Sequence, residues 1–228
     1  METVNVKNQY NQFHQTFSEN QADQNEISKR AFHKAIDFNL QNKSVLDVGC
    51  GDGEDLMILG DSTTKIHGVD PSDEFLRKAR RNNPRGNFVK GVGENLPFAD
   101  NQFDVVISKW AIQTSIDVPQ TMREMARVLK PGGYLVYLSG HPLRQWIEKV
   151  KDYGHGSNYY DQLIVTSIIF DGLISVKEPS HTMSEYLNKK FFHNFEMIDY
   201  EEGSDFPASE QINGDTYPTY ILIKARKK

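Results

Sequence analysis

Short apolar runs recur along the first two thirds of the chain, and stretches of helical periodicity lie between them. The runs at 44–48, 65–69, 87–90, 103–108 and 134–139 are bounded by turn residues and carry the Val, Ile and Leu content of buried parallel strands. Residues 54–59, 72–81 and 119–129 space their apolar side chains for helices, and Ser72 is placed to cap the second of these. The fifth strand is entered through the turn Lys130-Pro131-Gly132-Gly133. Strands alternating with helices form βαβ units, which predicts a parallel sheet covered on both faces. Ahead of them, 27–40 reads as an amphipathic helix with Ile27, Ala31, Ala35, Ile36 and Leu40 on its buried face.

Beyond Gly140 the rhythm changes. Residues 143–153 read as a helix, and 163–170 is joined to 173–176 by Asp171-Gly172, a tight-hairpin signal. Residues 181–192 then read as a helix, while 195–200 and 220–224 are two strands with no helix between them, which predicts an antiparallel edge on the sheet. The segment 142–180 is thus an insertion in an otherwise regular alternation. The first thirty or so residues are crowded with Asn, Gln and Ser around Tyr10, Phe13, His14 and Phe17, and such a segment orders only against something else. Two readings compete, a mobile tail or a flap whose aromatics close over a ligand, and the spacing at 10, 13 and 17 also suits plain packing of one helix face.

Composition narrows the classes. At 228 residues and 38% hydrophobic content the chain suits one well-buried domain, expected at 43–228 behind an N-terminal flap and helix at 1–42. A formal net charge of -5 argues against general attraction to nucleic acid or to an anionic membrane, and the basic end at 224–228 reads as solvated. The start lacks the apolar core of a secretory signal, and no stretch approaches the run of about 18 apolar residues that a membrane span needs, so a soluble, cytoplasmic protein is expected. Cys50 is the single cysteine, which excludes an intramolecular disulfide, and His and carboxylates show no ligand spacing, so no metal is expected.

The candidate chemistry gathers at 45–53, where an apolar run ends in Asp47 and the alternating glycines Gly49, Gly51 and Gly53. Such a turn lets a ligand approach the backbone closely. A dinucleotide fingerprint would place a third spaced glycine at 54, where this chain has Glu54. With Asp47, Asp52, Glu54 and Asp55 about it, the turn suits a cation better than a pyrophosphate. Asp70 ends the next strand about twenty residues on, where a carboxylate can accept from both hydroxyls of a ribose. A positively charged nucleoside fits both features.

The ordered segments 45–53, Gly68-Val69-Asp70-Pro71-Ser72, Glu94-Asn95-Leu96-Pro97-Phe98, Gln102-Phe103-Asp104-Val105-Val106 and Leu129-Lys130-Pro131-Gly132-Gly133 resemble those of the class I S-adenosylmethionine-dependent methyltransferases. Within that family the chain looks most like the small-molecule subgroup that includes the ubiquinone and menaquinone biosynthetic enzymes. The resemblance implies S-adenosyl-L-methionine as cofactor. It also implies a Rossmann-like three-layer α/β sandwich with a mostly parallel seven-stranded sheet, an antiparallel edge strand and a hairpin/helix insertion after strand 5. In the family, residues matching Asp47, Gly49 and Gly51 line the methionine part of the cofactor, and the one matching Asp70 holds the ribose. Those matching Pro71 and Ser72 pack beside the adenosine, and Gly93 and Glu94 fall in the stretch that edges the adenine. The family often has Asp two residues before that Glu, but this chain has Val92, which leaves the adenine to backbone groups or to Glu94. Ser108, Lys109 and Trp110 would lie beside the methionine end and the acceptor.

Transfer of a sulfonium methyl mainly needs an acceptor held in line with water excluded, and a base only where the acceptor must lose a proton. His141 follows the fifth strand at the carboxyl edge of the sheet and is the candidate base; with Pro142 behind it, its ring could instead cap local backbone. Tyr10, Arg144, Tyr159 and His181 are further candidates for contact with the acceptor, and the insertion 142–180 is expected to act as its cap. The apolar hairpin could equally form a homodimer surface. Two rivals stand beside a small-molecule methyltransferase: an RNA-modifying enzyme using the basic stretch 77–81, and a protein that binds the cofactor without chemistry.

Overall fold

A computed structural model of the chain describes residues 6–20, 25–61, 64–169, 173–205 and 217–228. Five strands run parallel: β1 (Ser44–Val48), β2 (Lys65–Asp70), β3 (Asn87–Lys90), β4 (Phe103–Lys109) and β5 (Leu129–Gly140). A hairpin of β6 (Ile164–Ile169) and β7 (Ile174–Pro179) follows, then β8 (Phe195–Gly203) and β9 (Tyr220–Lys227). The seven-stranded sheet has the order β3-β2-β1-β4-β5-β9-β8, with β9 antiparallel to both of its neighbours, which makes the antiparallel edge read from the sequence. Strand order reverses between β1 and β4, so their carboxyl ends flank the crevice where open α/β sheets bind ligands.

The helices are α1 (Val6–Asn20), α2 (Glu26–Ala35), α3 (Glu54–Leu59), α4 (Asp73–Asn82), α5 (Val118–Val128), α6 (Pro142–Tyr153), α7 (Met183–Tyr186) and α8 (Lys189–Asn194). Alternating residues of β1 feed two apolar layers: Val45 joins Phe32, Leu56, Leu76 and Phe88 on one face, and Leu46 joins Met125, Tyr186 and Phe191 on the other. Ser72 caps α4 as expected, its hydroxyl accepting from Phe75 N–H at 3.3 Å. None of the helices among the described residues is long and apolar enough to cross a membrane.

Three expectations are corrected. The helix read at 27–40 ends at Ala35; its fully buried residues are Ser28 and Phe32, while Ala31, Ala35 and Ile36 pack partly buried on the core as expected. Ile27 is 57% exposed, whereas Leu40 reaches the core from the loop that follows. The helix read at 181–192 is two short ones, because Asn188 accepts from the N–H groups of Lys190 and Phe191 and starts α8 afresh. The turn at 130–133 lies within the span of β5, as a bulge where the register jumps from Phe103↔Leu129 to Val105↔Tyr134.

The insertion folds as a hairpin over α6, and the Asp171-Gly172 turn lies outside the described residues. Ile174 and Val176 of β7 pack against Tyr10 and Phe13 of α1, while Ile168 and Leu173 point outward at 60% and 64% exposure. Along its outer margins, Gln9 of α1 bonds both the N–H (2.8 Å) and the C=O (2.9 Å) of Lys177. On the other side Asp152 accepts from Thr166 N–H, and Tyr153 donates its hydroxyl hydrogen to Ile164 O, both at 2.7 Å.

Candidate active site

β1 delivers the chain into a turn in which Gly49, Gly51 and Gly53 have φ of 78°, 51° and 79°, all in the left-handed region. The first two glycines are needed for different reasons. A Cβ on Gly49 would lie 2.2 Å from the Ala111 Cβ, so the segment after β4 closes against it, whereas a Cβ on Gly51 would meet nothing within 4 Å. The turn is tied to β2 by Gly49 N–H and Cys50 N–H, which donate to Val69 O at 2.8 and 3.1 Å. Gly51 N–H donates to Asp70 Oδ2 at 3.0 Å, and Ser72 N–H donates to Asp70 Oδ1 at 2.8 Å. The Asp70 carboxylate is thereby fixed beside the open side of the turn.

Burial raises the Asp70 carboxyl to about 6, although its two backbone donors pull the other way. Asp47, 2% exposed, is pushed well above the carboxylate range by burial first and by nearby Asp55 second, with Lys109 opposing. Two buried carboxyls of raised pKa about an open glycine turn fit a ligand that brings positive charge and ribose hydroxyls, and would repel a pyrophosphate. Lys109, at the end of β4, pairs with Asp55 at 2.8 Å, and His33 of α2 reaches the same carboxylate oxygen at 2.8 Å. Alongside, Lys29 of α2 pairs with Glu54 at 2.9 Å. Trp110 has φ of 54°, and its indole Nε1 is buried without a hydrogen-bond partner among the described residues.

Other residues read as cofactor contacts hold the frame. Ser108 donates its hydroxyl hydrogen to Val48 O at 2.7 Å, stitching β4 to β1. Ser72, next to Pro71, donates to Asn11 Oδ1 of α1 at 2.6 Å. Glu94 accepts from Ile116 N–H at 3.0 Å through its side chain and from Gln120 Nε2 at 3.0 Å through its carbonyl. A Cβ on Gly93 would lie 2.8 Å from Thr121 Cγ2, so this loop packs tightly on α5; Val92 is exposed.

On the cap side the Tyr10 phenol is pushed up by burial, then by Glu178 and by Asp70, which places its hydroxyl within electrostatic reach of both. Arg144 Nε donates to Glu148 at 3.1 Å; Glu148 Oε2 lies 2.8 Å and Glu178 Oε1 3.0 Å from the Ser167 hydroxyl. The single hydroxyl hydrogen is thus set between two buried carboxyls, which brings the pair close together. Burial first and the neighbouring Glu148 second raise Glu178 to about 7, and burial raises Glu148 as well. Gln145 Nε2 also donates to Glu178, at 3.3 Å.

The two histidines are occupied. His141 Nδ1 accepts from Leu143 N–H at 3.0 Å, capping α6, while Nε2 faces Glu202 at 2.8 Å. His181 Nε2 bonds Gln113 O at 3.2 Å, and Nδ1 lies 3.4 Å from Glu185. The Tyr159 hydroxyl accepts from Met183 N–H at 2.8 Å. The structure therefore gathers Asp47, Gly51, Asp70, Lys109 and Tyr10 near one crevice, and engages His141, Tyr159 and His181 with neighbouring elements. His33, Asn11, Ser167 and Glu178 were not legible as site residues, because they meet their partners only through tertiary folding. The basic stretch is largely tied down: Arg77 pairs with Glu74 at 2.6 Å, Lys78 donates to His14 O at 3.1 Å and Arg80 to Phe88 O at 2.7 Å.

Residues 46–137 match the methyltransferase domain family. The ubiquinone/menaquinone biosynthesis C-methyltransferase UbiE of Campylobacter jejuni is 27% identical over 197 residues, covering 77% of this chain and 80% of that protein. The uncharacterized protein YafE of Escherichia coli is 40% identical over 103 residues, 40% of this chain and 50% of that one. The chain spans about half the length of several curated relatives that it matches. An S-adenosylmethionine dependent methyltransferase of Mesorhizobium loti superposes with a TM-score of 0.67 at 19% identity, covering 89% of this chain and 98% of that structure. Sheet order, switch point and glycine turn define an α/β domain of the doubly wound type. With the domain match over 46–137, the chain is similar to the class I S-adenosylmethionine-dependent methyltransferases.

Proposed function

We propose that this protein transfers the methyl group of S-adenosylmethionine to a small-molecule acceptor. The observation that carries this reading is the pair of buried carboxyls, Asp47 and Asp70, set about the open side of the Gly51 turn at the switch point. Asp70 would hold the ribose hydroxyls, and Asp47 with the turn would hold the methionine part. When bound, the cofactor supplies a methyl group that is already electrophilic. What remains for the chain is to orient the acceptor and keep water out.

The hairpin and α1 suit that task. Tyr10 and Phe13 pack on Ile174 and Val176, and Asn11 bonds Ser72 beside Asp70, so one helix links the cap to the cofactor seat. The aromatic content of the insertion favours an apolar or planar acceptor. Relatives named for ubiquinone/menaquinone and for phthiotriol/phenolphthiotriol dimycocerosates support an acceptor of quinone or lipid type. For His141, the bonded ring nitrogens support the capping role over that of base.

Calorimetry with S-adenosylmethionine tests the seat, and binding in the micromolar range is expected; no binding at millimolar ligand overturns the reading. S-adenosylhomocysteine release with a panel of quinols and lipid alcohols then tests transfer. Release with RNA in place of these acceptors would turn the conclusion toward the RNA-modifying rival, and tight cofactor binding without release for any acceptor class toward the non-catalytic binder.

A further inference from the structure

The seat about the glycine turn contains one buried cation that the methyl transfer itself does not use. Lys109 is the last residue of β4, and the register Asp47↔Ile107 carries it alongside Gly49 at the crevice. Its side chain is only 7% exposed, and its ammonium lies 2.8 Å from Asp55 Oδ1, an oxygen that also receives His33 Nε2 at 2.8 Å. An ammonium has three hydrogens to donate. Among the described residues Asp55 Oδ1 is the acceptor that Lys109 Nζ reaches, so a desolvated cation is left with donors to spare.

A ligand that brought only positive charge to this seat would be repelled by such a lysine. The donor is not only positive: its methionine end carries an ammonium and a carboxylate on one carbon. A seat that offers a buried carboxyl, Asp47, and a buried ammonium, Lys109, within electrostatic reach of each other matches such a zwitterionic head. We propose that Lys109 is a positioning residue that takes the α-carboxylate of the methionine moiety, with Asp55 and His33 fixing its ammonium in place. This rests on the cofactor reading above and deepens it. It also assigns α2 a part in the seat, since His33 reaches Asp55 from that helix.

The test is calorimetry with two probes, S-adenosylmethionine and decarboxylated S-adenosylmethionine, which lacks only the carboxylate. Wild-type protein is expected to prefer the first by about 10- to 100-fold, the usual effect of a charge-assisted bond at a desolvated site. Lys109→Met should lose that preference by binding S-adenosylmethionine more weakly while holding the decarboxylated probe as before, and Lys109→Arg should restore part of it. If Lys109→Met weakens both probes equally, or neither, the assignment is overturned. Should that variant fail to fold because Asp55 is left charged, the wild-type preference and the double variant Asp55→Asn/Lys109→Met carry the test; equal wild-type affinities overturn it. Wild-type protein that binds neither probe overturns the cofactor reading, and this one with it.

Discussion

The floor of the crevice and its cap are built by opposite means. The floor is local: residues 47–55 and 70–72 set one another through glycine dihedrals and backbone N–H groups, as in the bonds from Gly51 and Ser72 to Asp70. The cap is assembled from side chains far apart in the chain, Gln9 with Lys177 and Glu148 with Ser167 and Glu178. A floor made of backbone tolerates little change. A region held by side chains can change its sequence while the backbone-built turn stays intact.

Substitutions should separate the two regions. The largest effect is expected for Gly49→Ala, where a methyl group would collide with Ala111 at a left-handed φ; a stability loss of roughly 2–4 kcal/mol should be seen in urea unfolding. A loss below 0.5 kcal/mol, on the order of a surface change, would show that the turn relaxes freely. Next is Asp70→Ala, expected to weaken S-adenosylmethionine binding by about 2 kcal/mol, or roughly 30-fold; an unchanged dissociation constant would remove Asp70 from the ribose.

Proton linkage gives a third contrast. Folding raises the Asp70 carboxyl to about 6, so its ionised form costs the empty protein stability above that pH, and a cationic ligand offsets the cost. Cofactor affinity should therefore rise from about pH 5 to about pH 7, by up to about tenfold per unit at the steepest, and Asp70→Asn should flatten the curve. In the cap, burial holds Glu178 at about 7, so wild-type stability should fall as pH passes from about 5 to about 8. Glu178→Gln should lessen that fall by about 1–2 kcal/mol, with cofactor affinity unmoved. The smallest effect is expected for His141→Ala: about 1 kcal/mol of stability from the lost cap of α6, with cofactor affinity unchanged. If this variant lost methyl transfer while keeping its stability, the role of base would return to His141.

The same contrast governs how much of the molecule was legible beforehand. β1 and β3 are found at the bounds that apolar content alone predicts, and β1 is buried along its whole length, so its pattern has one meaning. The glycine turn was legible because a left-handed backbone favours glycine at 49, 51 and 53, and Asp47 and Asp70 stood out as carboxylates at the ends of two apolar runs. Ser108 was read as facing the ligand, but its hydroxyl is spent on Val48 O, a contact visible only once β1 and β4 are neighbours. Periodicity put Ile27 inside because it is aliphatic, whereas the helix turns Phe32 to the core. Glu178 gave no signal, since a glutamate next to Lys177 at the end of a short strand looks solvent-facing until the hairpin folds over α6.

The bonds along the margins of the hairpin have a consequence for solubility. A two-stranded ribbon presents two rows of unpaired peptide groups, each a template on which another chain could add a strand. Here the amide of Gln9 stands in for a neighbouring strand on one margin, and Asp152 and Tyr153 do so on the other. Those three side chains close the ribbon to edge-to-edge pairing at Lys177, Thr166 and Ile164. Helix α1 is thus a guard against aggregation as well as the surface on which Ile174 and Val176 pack.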